Sequence, residues 1–280
     1  MNFKLLLKSF RKSYVYIWFL ALLLPPFLAP TEALSKPKSR AFDSSIVIYA
    51  PTSMSHAMHE IMKLFANKYN ISVSATYESA GELAISIEEG ESANIFITED
   101  SIKMRDLQRM GVLNVFSLTD IAADELVIAA PKNSYVIKKL NNIASTDDKM
   151  RFLAKNVSLA VPDPEFDAAG KFAKQAFNKI GEWEKVEARM LKATNTDNSL
   201  YLAANGDSPG VLYRSDALKN DNVEIIFAFP KDYTDKIIYQ ASVVAGLDSE
   251  DINKASEKFI KFLKTDIIKS IFVKYGFGNI

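Results

Sequence analysis

The sequence predicts an α/β fold in two lobes, and three observations predict it. From Ser44 onward, short β-branched runs alternate with longer stretches of helical period, the pattern of mainly parallel strands joined by crossover helices. Two apolar strands, 125–131 and 237–245, separate a middle region from the flanking ones; read as crossover strands, they put both chain ends in one lobe and the middle in the other. The composition, 48% apolar and 24% charged over 280 residues, is that of a globular protein with room for one large or two ordinary domains. Disorder and coiled coil are excluded.

The chain opens with a basic stretch (Lys4, Lys8, Arg11, Lys12), an apolar run from Tyr14 to Ala29 broken by Pro25-Pro26, and then Thr31-Glu32-Ala33. That order is a secretory signal peptide over 1–33 rather than a membrane anchor, because the uninterrupted apolar part falls short of the about 20 residues a bilayer needs. Its removal takes four basic residues and one acidic one, leaving a slightly acidic chain for a periplasm or cell surface. A Ser/Lys/Pro-rich link makes 34–44 a flexible N-terminus. The first lobe is then 45–124 with 240–280, and the second, with the crossover strands, 125–239.

Strands are expected at 45–49, 71–77, 93–98, 125–130, 157–161, 210–213, 223–227 and 237–245. In the first helix Met58, Ile61, Met62, Phe65 and Tyr69 share one face while His56, Glu60, Lys63 and Asn67 share the other, so that helix packs on a sheet. It starts at Thr52-Ser53-Met54-Ser55, hydroxyl residues directly after a strand. Strand, small polar turn and helix N-terminus together make an anion-ready geometry. Two lobes of this kind place a ligand cleft between them, at the C-terminal ends of the parallel strands.

Several chemistries drop out. There is no cysteine, which removes disulfides, thiolate metal sites, cysteine nucleophiles and an acylated lipoprotein anchor. Basic and acidic residues number 34 each, so no basic field invites nucleic acid. His56-x-x-His59-Glu60 has not the order of a zinc protease and reads as two solvated histidines; no metal site is expected. Gly206-Asp207-Ser208-Pro209-Gly210 spells a nucleophile elbow, but a helix precedes it and a strand follows, the reverse of what the elbow needs. Asp163 and Glu165 read as solvated carboxylates, and no glycine-rich phosphate loop occurs.

An ordered set of blocks spans almost the whole exported chain: Ile48-Tyr49-Ala50-Pro51-Thr52-Ser53-Met54 with Ala57-Met58, Leu83-Ala84 to Glu88, Ile95-Phe96-Ile97, Leu126 to Pro131, Leu159-Ala160-Val161 into Asp163-Pro164-Glu165, Ala168-Ala169-Gly170 with Ala173-Lys174, Gly181-Glu182-Trp183, Gly210-Val211-Leu212-Tyr213 with Ser215-Asp216-Ala217, and Lys274-Tyr275-Gly276-Phe277. In these blocks the sequence resembles the molybdate-binding periplasmic proteins of ABC importers, which have the type II solute-binding fold. The resemblance implies a two-lobed periplasmic binding protein, not an enzyme and without a cofactor. Such a protein captures molybdate or tungstate by hinge closure and hands it, as a monomer, to a permease in the inner membrane.

The resemblance also implies a site of hydroxyls and backbone N–H groups. Ser53 stands at the first-lobe helix start, Ala169 offers its N–H in the second lobe, Tyr213 its phenol, and Thr196, after Asn195, takes the place of a main-chain donor. The family's second serine is Ala80 here, which keeps an N–H but not the hydroxyl unless Ser79 or Thr196 turns inward. A cage of donors without acceptors holds a fully deprotonated tetrahedral anion and rejects one that keeps a proton. Other readings are a different oxyanion or small organic anion as ligand, a secreted serine hydrolase using Ser208 or the His56/His59 pair, and an interaction module that has lost the pocket.

Overall fold

The computed structural model describes residues 44–246 and 249–280; the expected signal peptide, and the expected flexible N-terminus except for its last residue, lie outside the described residues. Strand β1 (Ser44–Pro51) carries Ile46, Ile48 and Ala50 at alternate positions, all fully buried, which commits that face to the core. A single tight turn, Thr52–Met54, leads into α1 (Ser55–Tyr69), where Met58, Ile61 and Phe65 are buried and Met62 and Tyr69 pack at the margin of the same cluster. Asn70 ends the helix in the left-handed region at φ 56°. β2 (Ile71–Glu78), α2 (Ala80–Glu88), β3 (Ile95–Thr98), α3 (Ser101–Arg109) and β4 (Thr119–Asp124) complete the first pass.

The chain then builds a second sheet with β5 (Leu126–Pro131), α4 (Tyr135–Leu140), α5 (Thr146–Asn156), β6 (Ala160–Pro162), α6 (Ala168–Lys179), α7 (Trp183–Glu187), β7 (Leu191–Ala193), α8 (Thr196–Asn205), β8 (Gly210–Tyr213), α9 (Arg214–Ala217) and β9 (Val223–Ala228). It returns to the first as β10 (Ile237–Val243), followed by α10 (Glu250–Leu263) and α11 (Asp266–Lys274). α10 packs on β1 and β10 and brings Phe259 and Phe262 to Phe65, with ring centroids 4.8 and 5.4 Å away.

The sheets share one plan. Their strand orders are β2-β1-β3-β10-β4 and β7-β6-β8-β5-β9. In each, the first three strands are parallel, and the fourth place belongs to the strand arriving from the other lobe, β10 or β5, antiparallel to both its neighbours. Four of the five strands in each sheet thus point the same way, as expected, while the single reversed strand makes half of the pairings antiparallel. A strand that crosses between lobes enters a sheet at the end facing the other lobe, where the parallel strands finish, and so runs against them. β10 lies wholly in the first sheet from Ile237, which puts the return crossing within 229–236 and not at 239/240. Two edge strands, β4 and β7, have no counterpart in the sequence reading: one is Thr-Asp-Ile-Ala-Ala-Asp, poor in β-branched residues, and the other is three residues long.

Candidate functional site

The common plan yields three pairs of equivalent turns, all at the C-terminal ends of parallel strands. After β1 and β6 come Ser53 and the Asp167–Ala169 turn; after β2 and β7 come Ser79-Ala80 and Asn195-Thr196; at the ends of β3 and β8 stand Glu99 and Tyr213. The first two pairs open helices, whose first N–H groups lack partners within the helix and carry partial positive charge.

Ser53, Ser79, Ala80, Ala169, Thr196 and Tyr213, the six residues singled out in the sequence, are all buried. Ser53 and Tyr213 are brought together through a residue the sequence did not point to, Tyr239 of β10. The Ser53 hydroxyl lies 2.8 Å from the Tyr239 hydroxyl, and the Tyr239 ring stands edge-on to that of Tyr213 with centroids 6.1 Å apart. Thr196 opens α8, which packs against the Thr52–Met54 turn. The Ala169 N–H donates to the Asp167 carboxylate at 2.8 Å, so the second-lobe donor already has an acceptor beside it.

Ser79 does not turn inward. It caps α2 in a reciprocal box with Glu82, its hydroxyl donating to Glu82 Oε2 at 2.6 Å and accepting from the Glu82 N–H at 3.3 Å. Ala80 follows as the first residue of α2. Gly81 comes next and donates its N–H to the Phe166 carbonyl at 2.9 Å, tying the first lobe to the turn before α6. That approach requires glycine, since a Cβ at position 81 would lie 2.6 Å from the Phe166 oxygen.

A buried carboxyl stands beside these donors. Glu99, 3% exposed, accepts from the Tyr213 hydroxyl at 2.9 Å, and burial together with the nearby Asp167 pushes its carboxyl up to about 8. Asp167 is pushed up to about 7 by burial, against the N–H groups of Ala169 and Gly170 that favour its charge. Asp124, at the crossing between lobes, is also raised to about 7 by burial. Burial holds the Tyr213 and Tyr239 phenols well above their ordinary range, so both remain neutral hydroxyls. Two lysines of the second lobe reach the first: Lys219 Nζ donates to the Ser53 carbonyl at 2.6 Å and to Asp216 at 2.8 Å, and Lys171 pairs with Asp100 at 2.5 Å. One signal for Glu99 was available: a charged pair, Glu99-Asp100, directly after an apolar strand.

The other motifs are placed as follows. His56 and His59 are exposed on α1, and among the described residues no cluster of three His, Asp or Glu is arranged to hold a metal ion. Ser208 lies in the turn from α8 to β8, helix before and strand after. Asp163 pairs with Lys192 at 2.8 Å, and Glu165 is exposed.

Residues 46–278 match the family model of the bacterial extracellular solute-binding proteins. The chain belongs to that family. It is a solute-binding protein, then, and not an enzyme. It is 30% identical over 238 residues to the molybdate-binding protein ModA of Escherichia coli, covering 85% of this chain and 90% of that one. To ModA of Haemophilus influenzae it is 29% identical over 243 residues, covering 86% and 92%. The periplasmic molybdate-binding protein of Azotobacter vinelandii shares the two-lobed fold, with a TM-score of 0.70 at 17% identity over 84% of this chain and 99% of that one.

Proposed function

We propose that this solute-binding protein captures molybdate, or tungstate, between its lobes by hinge closure and delivers it to an ABC transporter permease in the inner membrane. What supports the reading is the pairing of equivalent turns: helix starts at Ser53 and Ala80 from one lobe and at Ala169 and Thr196 from the other, with Tyr213 buried at the end of β8. Oriented N–H dipoles and hydroxyls hold an oxyanion without a mobile counter-ion. An anion bound by both lobes favours the closed arrangement by its differential affinity, and the closed shape is what a permease reads. The relatives named for molybdate binding, aligned over most of their length, support the choice of anion. Residues 1–33 act as the signal peptide, and the protein works in the periplasm as a monomer.

A thermal-melt screen against molybdate, tungstate, sulfate and phosphate tests this. At a hundredfold over Kd a ligand adds about 2.7 kcal/mol, a rise of roughly 5–10 °C for a chain of this length. A rise with molybdate or tungstate is expected; none with either withdraws the ligand. Glu99 favours a second reading, a hydroxyl-bearing organic anion, because an ionised carboxylate accepts from a ligand hydroxyl. Sugar phosphates and hydroxy acids added to the same screen address it.

A further inference from the structure

Glu99 puts a buried carboxyl group of the first lobe against the Tyr213 phenol of the second. Its Oε1 accepts from Tyr213, while its Oε2 is fully buried and has no hydrogen-bond partner among the described residues. The groups facing it come from four elements. Asp100 follows on its own turn and is paired with Lys171; Asp167 stands at the start of α6; Tyr213 ends β8; Tyr239, on β10, is hydrogen-bonded to Ser53. Among the described residues, the two lysines that reach across the lobes are already engaged and do not neutralise Glu99: Lys171 serves Asp100, and Lys219 serves Asp216 and the Ser53 carbonyl.

Two neighbouring buried carboxyls do not both ionise readily, and the partners decide which keeps the proton. Asp167 has two backbone N–H groups, those of Ala169 and Gly170, and Lys171 nearby to favour its charge, whereas Glu99 has only its own backbone N–H and the Tyr213 phenol, with Asp167 and Asp100 close by to oppose its charge. The proton therefore resides on Glu99. Since Oε1 already takes a hydrogen from Tyr213, the acid O–H sits on Oε2, the atom without a partner.

We propose that Glu99 works as a carboxylic acid whose Oε2–H donates to one oxygen of the bound oxyanion, so that capture of the anion is coupled to retention of a proton on the protein. The proposal rests on the oxyanion reading above. Ionised Glu99 sets a negative charge against a dianion in a desolvated cleft, so only the protonated fraction of the protein binds. Glu99 then does the work of the hydroxyl missing at Ala80, but only while its proton is in place.

The test is calorimetric titration of the protein with sodium molybdate from pH 6.5 to 9, in two buffers of different ionisation enthalpy. Wild type should bind about tenfold more weakly at pH 9 than at pH 6.5, as the competent fraction falls, and should take up close to one proton per anion at pH 9. Glu99→Gln keeps an N–H donor that does not titrate, so its Kd should be flat across the range, with no proton uptake from this position. Glu99→Ala should also be flat, and weaker than wild type at pH 6.5. A wild-type Kd equal at pH 6.5 and 9 overturns the proposal and leaves the oxyanion reading standing. So does a Glu99→Gln protein that keeps the wild-type slope, which would assign the titration to Asp167. Tighter binding by Glu99→Ala than by wild type at pH 6.5 overturns it as well, by showing that the side chain obstructs the cleft. If no variant binds molybdate at any pH, the oxyanion reading falls and the coupling with it.

Discussion

Tyr213 and Glu99 stand at equivalent strand ends in the two sheets and meet across the cleft, phenol donating to carboxyl at 2.9 Å. The bond joins the lobes through their matched third strands, and both side chains are cut off from water. Removing the hydroxyl leaves a buried acceptor with no donor, at a cost of about 1–3 kcal/mol. Tyr213→Phe should lose that much stability in urea unfolding and should bind molybdate more weakly than wild type. Wild-type values in both measurements would place the phenol outside the site.

Ala80 sits at the first position of α2, and Ser79 beside it is committed to Glu82. No hydroxyl is supplied by that turn. Ala80→Ser should add one, and a hydrogen bond to a charged group is worth about 1.5–3 kcal/mol, so molybdate should bind roughly ten- to a hundredfold more tightly. Calorimetry decides it. An unchanged Kd would mean that the α2 start does not touch the anion.

Closure can be tested apart from the anion contacts. Gly81 meets the Phe166 carbonyl, and an added Cβ would stand 2.6 Å from that oxygen, so Gly81→Ala must hold the two segments apart. The core of each lobe is untouched by that change. Gly81→Ala should therefore keep a near-native melt while losing at least tenfold in ligand affinity, and small-angle scattering with saturating molybdate should report a larger radius than wild type. Unchanged affinity would show that closure does not need this approach.

How far the sequence reaches is set by the kind of signal each element leaves. α1 was legible because Met58, Ile61 and Phe65 repeat at helical spacing, and β1 because Ile46 and Ile48 are β-branched between turn residues. β4 and β7 left no such mark: one is Ala- and Asp-rich, the other too short to show a period. The six residues singled out are each buried; Ser53 was legible from the hydroxyl run directly after β1, and the other five from the family resemblance rather than from local spacing. Tyr239 and Glu99 are different. Tyr239 reaches Ser53 across 186 positions and Glu99 reaches Tyr213 across 114, and no local spacing encodes such a contact. The antiparallel entry of β5 and β10 is likewise a consequence of two lobes exchanging strands, visible only once both sheets are assembled.

The buried carboxyls also set the pH dependence of stability. Glu99 is raised to about 8, and Asp124 and Asp167 to about 7, whereas unfolded carboxyls titrate near 4. Between about pH 4 and 8 the folded protein therefore binds more protons than the unfolded chain, and stability falls as pH rises through that window, levelling off above it. The steepest slope each carboxyl can contribute is about 1.4 kcal/mol per pH unit. Glu60 and Glu182, held below the usual carboxylate range by hydrogen bonds to Lys274 and Lys185, act in the opposite sense, but only below about pH 4.5, and so do not offset the trend. Urea unfolding at pH 5.5, 7 and 9 should give the highest stability at pH 5.5, and Glu99→Gln should flatten the upper part of the profile. A stability that climbs from pH 5.5 to 8 would mean that these carboxyls are ionised in the folded protein, with partners that outweigh their burial.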